Sequence, residues 1–196
     1  MVALVGVNEP GPERPGAAIG AVLRCLVTSF RLLAERRIHL RPEFVGRRLG
    51  FADGTSATVY RETVVDRGRV DEPAFLAVAF QLRLVRGAFL HWLFRRESLL
   101  NTPLFVGFPG FVSKLWVAHD ERGVYRGLYQ WDGPDRAVHY ARCLWWVLAL
   151  VCRPESIRYQ VLPGGWRDEV VETPGRLLEE PRHPTAPWWW PADPRS

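Results

Sequence analysis

The chain has one lysine among 26 basic residues, and it lies in an alternating stretch, FVSKLWVAH (111–119), two residues before Trp116. Lys114 is the first residue whose type could do chemistry. Its amine becomes a base or a hydrogen-bond donor to a carbonyl or phenolate once desolvation disfavours the ammonium form. Downstream, VYRGLYQWD (124–132) supplies Tyr125, Tyr129 and Trp131, and DRAVHYARC (135–143) supplies His139. An imidazole titrates near neutrality, which makes His139 the best general-base candidate. Asp135, Arg136 and Arg142 mark a wet side of the same segment, where a plain surface histidine would also sit. Gln81 and Arg83 are polar ends of an apolar run, placed to line a pocket mouth or a dimer seam. His91 stands beside Trp92. The expected catalytic residues are His139 and Lys114. Trp116, Tyr125, Tyr129, Trp131, Gln81, Arg83 and His91 are the expected substrate contacts.

The elements that must position these residues follow from alternation and turn residues. If DERG (120–123) closes a hairpin between 111–119 and 124–132, residue 117 pairs with 126, 115 with 128 and 113 with 130. One face then carries Ser113, Leu115, Val117, Arg126, Leu128 and Gln130. The other carries Lys114, Trp116, Tyr125, Gly127, Tyr129 and Trp131. Trp116 falls opposite Gly127, whose missing side chain leaves room for an indole, and Lys114 falls opposite Tyr129. This second face reads in two ways: a π-rich wall for an aromatic ligand, or an aromatic packing layer whose polar tips reach water. Strand lysines commonly snorkel to solvent, and His119 at the hairpin tip is expected to face solvent too.

Around that hairpin, 75–85 reads as a strand, 88–100 as a helix, 135–153 as a second helix begun at Pro134 and ended by Pro154, and 157–163 as a last strand. The order is β-α-β-β-α-β, a ferredoxin-like split βαβ unit over 74–163. The first 73 residues form an extension: a disordered start (1–15), an amphipathic helix (16–37) and a hairpin (47–65) about Asp53-Gly54. Residues 164–196, rich in Pro and Trp and lacking any period, are expected to form an arm without regular structure, dispensable for folding beyond Ala186.

Composition narrows the function classes. The formal charge is +5, but the arginines are spread among Asp and Glu, which gives no nucleic-acid footprint. Arg24 and Arg31 interrupt the first apolar run, so no membrane span or signal peptide is expected. Three distant cysteines with no C-x-x-C, and no metal spacing of His or Cys, point to a reducing cytoplasm and no metal site. The chain contains no Walker loop, G-x-G-x-x-G or G-x-S-x-G.

PGFVSKLW, then a turn, then GLYQW, then Asp and Pro opening PDRAVHYA, resembles the YdhR-type mono-oxygenases of the dimeric α+β barrel superfamily, which includes the antibiotic-biosynthesis mono-oxygenases. The similarity covers about 74–163. It implies a ferredoxin-like protomer whose sheet pairs with a second copy's to give a homodimer, and a ligand cavity between sheet and helices. It further implies cofactor-independent oxidation or cyclisation of a hydrophobic aromatic or polyketide-like metabolite, in which a deprotonated substrate reacts with O₂ itself. Haem-degrading members use a histidine late in the second helix, where this chain has CLWWVLALVC. The competing expectation is a non-catalytic ligand-binding or assembly protein of the same fold.

Overall fold

The structure is a computed structural model and describes residues 11–83, 102–173 and 188–191. It is α+β, with helices α1 (Pro15–Ala34), α2 (Pro134–Val151) and α3 (Arg167–Glu172). The strands are β1 (Ile38–Arg41), β2 (Arg48–Gly50), β3 (Ser56–Val65), β4 (Pro73–Gln81), β5 (Phe111–Val117), β6 (Val124–Asp132) and β7 (Arg158–Pro163). They form one antiparallel sheet in the order β1-β3-β5-β6-β4-β7, with β2 paired to β3. The last four strands, in the spatial order β5-β6-β4-β7, are compatible with a ferredoxin-like arrangement. The helix expected over 88–100 lies outside the described residues.

Alternation sets the centre of the sheet. Val117 pairs with Arg126, Leu115 with Leu128 and Ser113 with Gln130, the register that the DERG turn implies. Asp120 fixes that turn by accepting the N–H groups of Arg122 and Val124 at 2.8 and 2.9 Å. The N-terminal segment is more than an appendage. Its hairpin strand β3 pairs with β5, matching Thr63 with Lys114 and Arg61 with Trp116, and β1 extends the edge beyond it. A bulge between Val59 and Arg61 bends β3.

α1 starts at Pro15, whose missing N–H is no loss in a first turn. It buries Ala18, Ala21, Cys25, Ser29 and Leu32, packing against α2 and the 102–108 segment. It ends at Arg36, a non-glycine residue at φ 55°, where the Arg36 and Arg37 N–H groups bond back to the Leu33 and Leu32 carbonyls in a Schellman-type close. By length and composition α1 could cross a membrane, a test that core helices also pass. Residues 11–14, expected to be disordered, are docked. The Glu13 carbonyl accepts the Trp146 indole N–H at 2.6 Å, and Arg142 donates to the Gly11 carbonyl.

The two faces of the sheet bury different cores. α1, α2 and the 102–108 segment cover Trp116, Tyr129, Trp131, Leu76 and Val78. The other face buries Phe75, Leu115, Leu128 and Leu162 under Phe44, Phe51, Val170, Val171, Trp189 and Trp190. The expectation of an arm without regular structure is therefore corrected. Residues 167–172 are helical, and Trp189 and Trp190 are core residues at 2% and 7% exposure. The Trp190 carbonyl accepts the Ala52 N–H, and Phe51 bridges Pro191. The physical reason is that aromatic side chains bury large apolar areas without needing a repeating backbone.

Candidate functional site

Strand alternation in β5 and β6 places Lys114, Trp116, Tyr129 and Trp131 together on the helix-covered face, all buried. Lys114 does not snorkel. It is 7% exposed, with Nζ 3.3 Å from the Trp116 ring centroid, 4.5 Å from Phe105 and 4.8 Å from Tyr129. Arg61, delivered by β3, places its guanidinium carbon 3.8 Å from the same Trp116 centroid. The indole is oriented by its N–H, which donates to Thr63 Oγ1 at 3.1 Å, and by the Phe105 ring meeting it edge-on at 5.2 Å. Beyond Lys114, the Tyr140 hydroxyl of α2 donates to the Tyr129 hydroxyl at 3.2 Å.

The electrostatics are unusual for a core. Burial pushes the Lys114 amine well below its ordinary value, and the neighbouring Arg61 charge pushes it further down. Burial also lowers Arg61 itself, to about 10. Tyr129 and Tyr140 move the other way, held as neutral phenols chiefly by burial. This layer combines an amine inclined to neutrality, a second cation and a phenol pair, walled by aromatic rings. Such a layer can accept a proton from an acidic O–H or C–H and hold the anion formed.

The roof over it depends on one glycine. A Cβ on Gly107 would lie 2.1 Å from the Cys25 carbonyl oxygen and 2.8 Å from the Ser29 backbone nitrogen, so only glycine lets 102–108 meet α1 this closely. Ser29 Oγ donates to the Pro103 carbonyl at 2.7 Å, and Arg67 reaches the Val106 and Phe108 carbonyls, which fixes the segment from both sides.

The other expected residues scatter. Gly127 lies opposite Trp116, but its vacant space is taken by the Tyr129 ring, 2.7 Å from where a Cβ would stand, and not by the indole. Tyr125 stacks on Phe80 at 5.9 Å, in a separate cluster with Leu82, Cys152 and Ile157. His119, expected to face solvent, is half-buried against Tyr125. Trp131 packs on Phe111 and Tyr140. The His139 side chain is 48% exposed beside Glu13, and among the described residues no hydrogen bond, ion pair or ring contact joins it to Lys114. Arg83 is exposed and donates to the Ala149 carbonyl. Gln81 lines a cleft at the end of β4, with Arg126, Arg158 and Trp188. His91 lies outside the described residues. Arg61, Thr63 and Tyr140 were not anticipated. Arg61 and Thr63 reach the site only through the β3–β5 pairing, some 50 residues apart, for which sequence carries no local signal.

The opposite face carries its own buried ion pair. Arg167 Nη2 and Glu62 Oε1 are 2.6 Å apart, and Gln130 Oε1 accepts the Arg167 backbone N–H. These groups floor a cleft of about 230 Å³ walled by Phe44 and Trp166. The Glu62 and Gln130 contacts fasten α3 to the sheet, and Arg167 also meets Asp168 of its own helix at 2.6 Å. All three cysteines are free and buried, and no group of three metal-ligating side chains occurs among the described residues. Comparison with protein-family models, curated proteins and solved structures found no match.

Proposed function

We propose that the chain binds a flat, acidic small molecule, a phenol or enol, on the Lys114 layer beneath α1 and the 102–108 segment. The observation that carries this reading is that two buried basic side chains, Lys114 and Arg61, lie over one indole. Neighbouring cations in a core oppose each other, whereas an anion between them is favoured by both. The ligand ring would stack on Trp116, its acidic proton would pass to the Lys114 amine, and the oxyanion would rest between the lysinium and Arg61, with Tyr129 as a further donor. Entry requires the 102–108 segment to give way, since Phe105 lies against Lys114.

A protonated lysine facing an electron-rich anion would also suit the mono-oxygenase-like or cyclase chemistry of the resembled superfamily, on a ferredoxin-like protomer. The non-catalytic reading, binding without turnover, is favoured by His139, which stands exposed beside Glu13 instead of at the layer. A sheet-to-sheet homodimer forms no part of the proposal, because the chain's own α3, Trp189 and Trp190 cover the face that a partner would use.

The test is a tryptophan-fluorescence titration with 2-naphthol and its O-methyl ether, on the native chain and on Lys114→Met, with oxygen uptake recorded in parallel. The reading predicts that the phenol binds, the ether binds weakly or not at all, and the Met variant loses the preference. Equal binding of phenol and ether, with no effect of the substitution, would reject it. Oxygen uptake dependent on Lys114 would select the catalytic version, and binding without uptake the non-catalytic one.

A further inference from the structure

Where β4 stops and β6 and β7 begin, a cleft of about 410 Å³ opens, a size that admits a small metabolite. Four arginines line it, Arg122, Arg126, Arg153 and Arg158, against two carboxylates, Asp53 and Glu155. Arg126 is already spent on Asp53 at 3.0 Å and Asp120 at 2.6 Å. Among the described residues the Arg122 guanidinium reaches only a backbone carbonyl, that of Asp53. Arg153 and Arg158 are exposed, and among the described residues no ion pair or side-chain hydrogen bond engages either guanidinium. Three guanidinium groups thus line one concavity, with Glu155 as the one unengaged countercharge in the lining among the described residues.

The concavity is held by its own hydrogen bonds. The Gln81 N–H donates to Ser156 Oγ at 2.9 Å, Ser156 Oγ donates to the Arg153 carbonyl at 2.6 Å, and the Arg153 N–H donates to the Gln81 carbonyl at 2.9 Å. Arg126 Nε donates to the Trp188 carbonyl at 2.9 Å and so fixes the wall that this tryptophan forms. Gln81 Nε2 is committed to the Arg122 carbonyl, which leaves the amide oxygen to accept from a ligand.

We propose that this cleft binds a phosphorylated small molecule of mononucleotide size. The phosphate sits among Arg122, Arg153 and Arg158, whose planar, permanently charged forks match phosphate oxygens in pairs. The planar body lies along Trp188, and the Gln81 amide oxygen accepts one of its N–H groups. The site is separate from the Lys114 layer and does not depend on it.

Calorimetric titration of the full chain with AMP, inorganic phosphate and adenosine tests this, alongside an Arg153→Gln/Arg158→Gln variant and a Trp188→Ala variant. AMP should bind, phosphate should bind more weakly, and adenosine should not bind detectably. The double variant should weaken AMP by roughly tenfold or more with an unchanged melting temperature, since both side chains are solvated. Trp188→Ala should weaken AMP while leaving inorganic phosphate unaffected. The proposal is overturned if AMP does not bind, if adenosine binds as well as AMP, or if a folded double variant binds AMP normally.

Discussion

Lys114 Nζ and the Arg61 guanidinium carbon lie 3.3 Å and 3.8 Å from the centroid of a single ring, the Trp116 indole. Cation–π attraction to an electron-rich ring is worth up to about 2 kcal/mol when desolvated, less than burying a lone ammonium costs. Burial and the Arg61 charge therefore pull the amine well below its ordinary 10.5, which favours its uncharged form.

That shift has a signature in stability. Lys114 has a lowered pKa in the folded state and the ordinary value of 10.5 when unfolded. Between the two, the unfolded chain binds the extra proton, so folding stability falls as pH drops from 10.5 toward the folded value. Each pH unit in that window is worth about 1.4 kcal/mol. Lys114→Met, which keeps the apolar stem, should be more stable than the native chain near neutrality, with the gap closing as pH approaches 10.5. Melting curves at several pH values give the sign, and a pH-independent difference would mean that the lysine stays charged.

Trp189, 2% exposed and 6.3 Å from the Phe75 ring, makes the C-terminal segment structural. Trp189→Ala should lose about 3–5 kcal/mol, the usual range for a core tryptophan. In a chain of this size that lowers the melting temperature by roughly 10 °C. Ending the chain after Ala186 should destabilise it at least as much, contrary to the expectation from composition alone.

Arg126 and Asp120 form a tight buried pair, 2.6 Å apart with side chains 1% and 0% exposed. Arg126→Met would leave Asp120 charged in the core and release the Trp188 carbonyl, a loss of about 3–5 kcal/mol. Adding Asp120→Asn removes the stranded charge and should recover part of it in denaturant titrations. If the double variant is no more stable than the single one, the charge is not the cause.

The 102–108 segment depends on Gly107. Gly107→Ala drives a methyl into the α1 backbone at Cys25 and should cost about 1–3 kcal/mol or more, while Gly68→Ala, which meets nothing within 4 Å, is near neutral. Comparing the two melting temperatures isolates the contact between α1 and the segment.

Much of the centre was legible because its code is local. Period-two alternation in 111–117 and 124–132, with a four-residue turn between, was enough to put Lys114 opposite Tyr129 and Trp116 opposite Gly127. The pairing of β3 with β5 was not, since Arg61 and Trp116 meet by long-range register and nothing near either residue announces it. β1, four residues with an exposed pattern after Ile38, lacks the apolar alternation that marks a strand and exists because β3 offers it an edge. The role of Trp189 was hidden for a related reason: its burial depends on a hydrophobic surface built by distant strands. For His139 two expectations stood, a general base or a surface histidine beside Asp135, Arg136 and Arg142, and α2 turns it outward beside Glu13.

The central claim, that Lys114 is a buried base beneath an aromatic layer, is tested most directly by the absorbance of 4-nitrophenol, whose phenolate is coloured and whose phenol is not. At mildly acidic pH, where the free dye is protonated, adding the native chain should produce the phenolate band in saturable fashion, and Lys114→Met should produce none while binding the dye weakly or not at all. A native chain that binds the dye without generating phenolate, or a Lys114→Met variant that generates it equally well, would contradict the account.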